Sequence, residues 1–330
     1  MMNRQILLAS RPEGKVSPSH FKTVETPLGE LKAEEIRVKN RFLSLDPYMR
    51  GRLNDTRSYA KPQALGEPMV GGTVGEVVES RSAKFKPGDW VTGMGGWQAF
   101  SAGTEAGWRK IDVRLAPPSA YLGPLGMPGV TAWVGLKTIL APKAGETLVV
   151  SAATGAVGSV VGQLAKAAGV RVVGIAGGEA KCRYALDELG FDACVDHRTA
   201  NFAGALKEAL STGVDCLFEN VGGEPFAQTL RRLNDFSRIA ICGLISSYEG
   251  PLTSLPDMRL LLVRRCRIEG FIVSDHLELW GEALRELARA MAGKRLKYRE
   301  TVLEGLDAAP GGLIDLLHGG NFGKMIVRVS

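Results

Sequence analysis

The sequence has few of the residues that build metal sites. It carries four histidines and five cysteines in 330 residues. No cysteine precedes Cys182, and His20 is the single histidine of the first half. A zinc site needs clustered thiolates and imidazoles, so no catalytic or structural zinc site is expected and the metal assignment is none. The cysteines Cys182, Cys194, Cys216, Cys242 and Cys266 are odd in number and unclustered in sequence, which argues against a disulfide framework and fits a reducing compartment. No apolar run approaches the roughly 18 residues that span a bilayer. Ile6–Ala9 is too short for a signal-peptide core, so the expectation is a cytoplasmic protein without a membrane partner. The net charge of +6 is spread along the chain, and fits an enzyme with an anionic cofactor better than a nucleic-acid binder.

Glycine, by contrast, is plentiful, with 41 residues scattered among well-patterned segments. The first 120 residues read as β-rich, with runs such as Ile36–Val38, Gly72–Val78 and Trp90–Thr92 separated by turns like Lys86-Pro87-Gly88-Asp89. From Leu148 to about Val273, apolar strands alternate with helix-length segments. They begin with Leu148–Val150, a helix over 156–168 and Val170–Ile175, and end with the strand Ile268–Val273. That alternation predicts a doubly wound parallel sheet, a Rossmann α/β domain. A helix is expected over 276–292, and a return to strand and loop in the last 30 residues.

Between the first strand and first helix lies Ala153-Thr154-Gly155-Ala156-Val157-Gly158, a variant of the dinucleotide fingerprint with alanine in the first glycine position. Gly155 lets the backbone approach a diphosphate, Gly158 lets the helix pack close, and the helix N-terminus faces the anion. The second strand ends in Gly177-Gly178, where an NAD site would place an acid for the ribose 2′-OH. Without that acid, and with Lys181 following and Arg183, His197 and Arg198 near in sequence, NADPH is the expected cofactor. Glu179 is assigned to the helix dipole.

Six segments then carry a family resemblance: Leu45-Asp46-Pro47-Tyr48-Met49-Arg50-Gly51-Arg52, Leu125–Ala132, the 152–158 turn, Glu219-Asn220-Val221-Gly222-Gly223, Cys242–Tyr248 and Asn321-Phe322-Gly323-Lys324. Together they resemble the zinc-independent medium-chain dehydrogenase/reductases, in the branch of prostaglandin and leukotriene reductases, alkenal double-bond reductases and bacterial curcumin reductases. The resemblance implies a GroES-like β-barrel domain over 1–122 and 298–330 and a Rossmann domain over 123–297. It implies NADPH-dependent reduction of the C=C bond of an α,β-unsaturated ketone or aldehyde, and a homodimer paired through the nucleotide domain. By position it assigns the diphosphate to Gly155, Ala156, Val157 and Gly158, and the 2′-phosphate to Lys181 beside Gly177. His197 stands where many members have a tyrosine. Asn220, the loop Cys242, Gly243, Leu244, Ile245, Ser246 and Ser247, the segment Phe271, Ile272 and Val273, and Asn321 are expected to line the rest of the cofactor site. Val263 occupies a position that is tyrosine in many members.

Hydride transfer to the β-carbon leaves an enolate that needs a hydrogen-bond donor. Tyr48 and Tyr248 are the candidates, with water as a source of the α-proton. Trp97 and Met127 are candidate apolar pocket walls, with core packing as the other reading of each. Two other functions share the same features: a quinone reductase, and a protein that holds NADPH without turnover.

Overall fold

A computed structural model describes residues 1–252 and 257–329 of the chain. The chain divides into two compact units: Met1–Gly123 with Glu300–Ser330, and Pro124–Arg299.

Among the described residues, the continuous unit is built on six parallel strands: Thr147–Ser151, Arg171–Ala176, Ala193–Asp196, Val214–Glu219, Leu233–Ile241 and Arg267–Gly270. Across the sheet they lie third, second, first, fourth, fifth, sixth, the order of a dinucleotide-binding fold. Thr147–Ser151 is buried at every residue, as a central strand covered on both faces must be. One core forms where Val149, Val173, Ile175 and Leu217 of the sheet meet Phe202 and Leu206 of the helix Phe202–Ala209, with Phe226 and Leu230 of Gly223–Leu230. Order reverses beside Thr147–Ser151, and the carboxyl ends of that strand and of Val214–Glu219 open onto the ligand side expected of such a sheet.

Among the described residues, the other unit has a seven-stranded sheet running Glu300–Glu304, Lys324–Arg328, Glu35–Ser44, Thr73–Ser80, Trp90–Gly93 and Trp108–Lys110, with Phe100–Thr104 paired to Glu35–Ser44. Met2–Leu8 and Phe21–Pro27 pair separately. Lys324–Arg328 lies between Glu300–Glu304, which is parallel to it, and Glu35–Ser44, which is antiparallel. The core of this unit joins both chain ends: Ile6, Leu8, Leu43 and Met49 pack with Leu313, Met325 and Val327.

The structure corrects four sequence expectations. The last 30 residues are not only strand and loop, because Ala309–Leu317 is a helix whose Ala309, Leu313 and Leu316 enter the core. Pro310 is tolerated there because it stands in the first turn, where its missing N–H has no intrahelical partner to lose. The helix expected over 276–292 is Trp280–Ala292, preceded by a 3-10 segment with non-helical angles at His276. The strand expected to reach Val273 stops at Gly270. The first helix runs Gly158–Ala167 rather than from residue 156, leaving Ala156 and Val157 in the turn.

Candidate cofactor and active site

The 152–158 turn starts with Ala152 in the left-handed region, at φ 48°. Its carbonyl accepts from Gly155 N at 2.9 Å, which closes the turn, while Ala153 N donates to Ile175 O of the neighbouring strand. Val157 caps the helix without any side-chain acceptor, and valine is among the poorest N-cap residues. Among the described residues no acceptor meets the N–H groups of Ala156, Val157 and Gly158, whereas Ser159, Val160 and Val161 are paired. Three adjacent amides at the positive end of a helix suit a diphosphate. A Cβ on Gly158 would lie 2.4 Å from Ala152 O and 3.1 Å from Ala153 Cα, so only glycine lets this helix start so close to the turn.

The next strand delivers Gly177 and Gly178 to the start of the helix Glu179–Asp187. Asp196 Oδ1 accepts from Gly178 N at 2.8 Å and Arg198 N at 2.9 Å, and His197 N donates to Ala176 O. A Cβ on Gly177 would stand 2.9 Å from His197 Nε2 and from Arg198 Nε, so both side chains are folded over this glycine. Partial burial and the Arg198 charge lower the Lys181 ammonium from its ordinary value. Desolvation and Arg198 likewise lower the His197 imidazole. Crowding of like charge is relieved by an anion, and a phosphate would restore both groups. Glu179 does not belong to this cluster, since its carboxylate pairs with Arg183 at 3.1 Å along the helix face.

On the other side of the central strand, Asn220 Nδ2 donates to Ser151 O at 2.8 Å, which aims the side chain back at the cofactor turn. Cys242 N and Gly243 N both donate to Glu219 O, and Ser246 N to Val221 O. These bonds fold the 242–248 loop beside Asn220. Cys242, Gly243, Leu244 and Tyr248 line a cleft of about 440 Å³ with Phe271 and Ile272. Phe271 is held edge-on to Phe218 with ring centroids 6.1 Å apart. Burial and the Glu219 charge push the Cys242 thiol up to about 12, so this cysteine is a neutral, poorly nucleophilic wall. Val273 opens the 3-10 segment after Ile272, and its carbonyl accepts from Trp280 Nε1. Met127 begins the helix Met127–Val134 and is half-buried.

In the unit formed by both chain ends, Tyr48 opens the short helix Tyr48–Arg52 directly after Pro47. Its ring packs on the core, and its hydroxyl has no hydrogen-bond partner among the described residues. Burial and the nearby Asp46 raise the phenol above its ordinary value, so it donates a hydrogen bond but does not ionise. Lys324 Nζ reaches from the C-terminal strand to Leu45 O and to Asp46 Oδ1 at 2.9 Å, fixing the turn that carries Tyr48. Asn321 Nδ2 is engaged within its own loop, on Gly323 O at 2.7 Å. Trp97 is a core residue instead of a pocket wall: it is fully buried and stacks on Phe21 at 5.4 Å between centroids. Its surface offers a substrate nothing to touch.

Sequence reasoning passed over Ser151 and Glu219, which organise the floor of the nucleotide-domain site. The available signal was a carboxylate closing the apolar run Cys216-Leu217-Phe218. Among the described residues no group of three or more His, Cys, Asp or Glu could hold a metal ion.

Comparison with known proteins matches residues 4–111 to a family described as the N-terminal domain of oxidoreductase. Residues 156–289 match one described as zinc-binding dehydrogenase. The chain is 44% identical over 337 residues to the NADPH-dependent curcumin reductase of Escherichia coli, covering 99% of this chain and 97% of that protein. It is 39% identical to the NADP(+)-dependent 2-alkenal reductase of Nicotiana tabacum, covering 99% and 98%. The structure of CurA from Vibrio vulnificus in complex with NADPH superposes with a TM-score of 0.95 at 44% identity, covering 99% of each chain. With its phosphate-ready turn, its parallel sheet and these full-length relatives, the chain belongs to the medium-chain dehydrogenase/reductases, in the zinc-independent branch of curcumin, alkenal and prostaglandin reductases.

Proposed function

We propose that this protein is an NADPH-dependent reductase of the carbon–carbon double bond of α,β-unsaturated ketones and aldehydes. The observation that carries the cofactor is the pairing of three open amides at the 152–158 turn with the Lys181–His197–Arg198 cluster at the next strand end. Full-length relatives named as NADPH-dependent curcumin reductase and 2-alkenal reductase support the reaction class. When bound, NADPH supplies a hydride to the substrate's β-carbon. The amides of Ala156–Gly158 bind its diphosphate, Lys181 and His197 its 2′-phosphate, and Asn220, Asn321 and the 242–248 loop orient its remainder. As the β-carbon is reduced, negative charge gathers on the carbonyl oxygen of the substrate. A phenol that stays protonated suits that oxygen, because it donates at full strength without competing ionisation. Tyr48, with its hydroxyl uncommitted inside its own unit, and Tyr248, on the cleft wall, take this role. Met127, Phe271 and Ile272 supply apolar surface for a conjugated substrate, and water delivers the α-proton.

NADPH consumption with an enone, an enal and a simple quinone tests the reading. The enone and enal should be turned over. Tyr48→Phe and Tyr248→Phe should each lower kcat/KM by roughly 100- to 1,000-fold, in line with the loss of one oxyanion donor. Turnover of the quinone alone would make the protein a quinone reductase. Tight NADPH binding with no turnover of any acceptor would make it a binding protein, and unchanged kinetics in both variants would remove the tyrosines from the mechanism.

A homodimer belongs to the same proposal. The strand Arg267–Gly270 ends the parallel sheet, paired only to Leu233–Ile241 among the described residues. The helix Met258–Arg264 before it exposes Met258, Leu262 and Val263, an apolar face beside an open strand edge. An open edge of this kind invites a second copy of itself about a two-fold axis. Light scattering should return twice the 35.3 kDa chain mass, and Leu262→Lys with Ile268→Lys should return one chain mass.

A further inference from the structure

Glu219 ends a central strand, is 1% exposed and has no part in the chemistry above. Its Oε1 accepts from the Ser151 hydroxyl at 2.9 Å, from Val221 N at 2.6 Å and from Gly222 N at 2.7 Å. Ser151 Oγ in turn accepts from Asn220 N at 2.8 Å, while Asn220 Nδ2 returns to Ser151 O. The main-chain carbonyl of Glu219 holds Cys242 N at 2.9 Å and Gly243 N at 3.1 Å. One residue therefore joins the carboxyl ends of three neighbouring strands, Thr147–Ser151, Val214–Glu219 and Leu233–Ile241. Burial pushes the Glu219 carboxyl above the usual carboxylate range, and the converging donors oppose that push. An apolar side chain would avoid the desolvation but would strand the hydroxyl and two loop amides without an acceptor. The geometry is that of a clamp: its three donors come from the residue that leads into the cofactor turn and from the loop after Asn220.

We propose that Glu219 is a positioning residue for the cofactor: the accepting oxygen of its side chain fixes Ser151 at the head of the 152–158 turn, Asn220 through Ser151, and the Val221-Gly222 loop in one arrangement. The inference rests on the placement of NADPH at that turn. A residue that acts by accepting hydrogen bonds is replaceable by another acceptor of the same shape, which separates it from a residue that supplies only bulk or only charge. The test uses Glu219→Gln, Glu219→Leu and Ser151→Ala in the full chain, with NADPH Kd from fluorescence titration, KM for an enone, and thermal unfolding without cofactor. Glu219→Leu should raise the NADPH Kd by roughly 10- to 100-fold, and Glu219→Gln should recover most of that loss. Ser151→Ala, a mild change that keeps the fold testable if Glu219→Leu does not fold, should raise the Kd about 5- to 10-fold with the enone KM unmoved. An NADPH Kd within twofold of the parent in Ser151→Ala overturns the proposal. So does a Glu219→Gln variant as weak as Glu219→Leu, which would assign the effect to charge. Lys181→Ala is the control: if it too leaves NADPH binding intact, the cofactor placement falls and the proposal falls with it, whereas an effect at Lys181 with none at Ser151 overturns the positioning role alone.

Discussion

Replacing Lys181 with alanine should raise the Kd of NADPH by roughly 10- to 150-fold, the equivalent of one charge-assisted hydrogen bond of about 1.5–3 kcal/mol. The Kd of NADH should stay within about twofold, because the lost partner is the 2′-phosphate and nothing else. Parallel fluorescence titrations with the two nucleotides decide the matter. Equal weakening of both would show that Lys181 acts on the helix Glu179–Asp187 rather than on the phosphate. The same site gives a pH signature. His197 is held below its ordinary value in the free protein, by desolvation and by Arg198, and a docked phosphate raises it. Protons are therefore taken up on binding, and NADPH affinity should rise as pH falls through neutrality toward the ordinary histidine value of about 6.5. At about pH 6 the phosphate itself is half-protonated, and this offsets the gain. His197→Asn should flatten that slope, while NADH binding shows little slope in either protein.

Gly158→Ala should lower kcat/KM by on the order of 100-fold, the effect expected of a displacement of about 1 Å at a positioned group. Within a helix this substitution ordinarily stabilises, by about 1 kcal/mol. Here the added Cβ would stand 2.4 Å from Ala152 O, almost 1 Å inside even a close C–H···O contact of about 3.3 Å. The clash falls on backbone, so no rotamer relieves it, and Ala152 is already in the left-handed region. The helix start must retreat, carrying the three open amides away from the diphosphate. Thermal unfolding without nucleotide distinguishes this from collapse of the domain: the melting transition should remain cooperative while nucleotide-induced stabilisation disappears. Wild-type NADPH affinity in a folded Gly158→Ala protein would remove the turn from the binding site.

The parallel sheet was legible because its strands are apolar throughout and are separated by helix-length segments, so period and spacing agree. The Ala153–Gly158 turn was legible because its glycines recur at the one place where a strand hands over to a helix. What stayed hidden depends on distant partners. Ala309–Leu317 opens with Ala309-Pro310-Gly311-Gly312, a run that reads as loop until Leu313 and Leu316 find the core of the other chain end. Trp97 cannot be told from a pocket wall without Phe21, which lies far from it in the chain. The Ser151–Glu219 bond joins residues 68 apart, and no local pattern announces it. Short-range periodicity thus finds elements, whereas the floor of the site is set by bonds between elements.

Lys324–Arg328 has a consequence for how the molecule is made. That strand sits inside its sheet, between Glu300–Glu304 and Glu35–Ser44, so the register Ile326↔Ser44 closes last. At synthesis rates of about 5–20 residues per second, the ribosome takes roughly 15–60 s to travel from one partner to the other. For that time Leu43, Leu45 and Met49 wait without the Met325 and Val327 side chains that cover them. The continuous nucleotide unit, complete by Arg299, can fold during the interval. Until both C-terminal strands arrive, the early chain leaves an open edge at Phe42–Ser44 over uncovered apolar side chains, the kind of surface on which nascent chains aggregate.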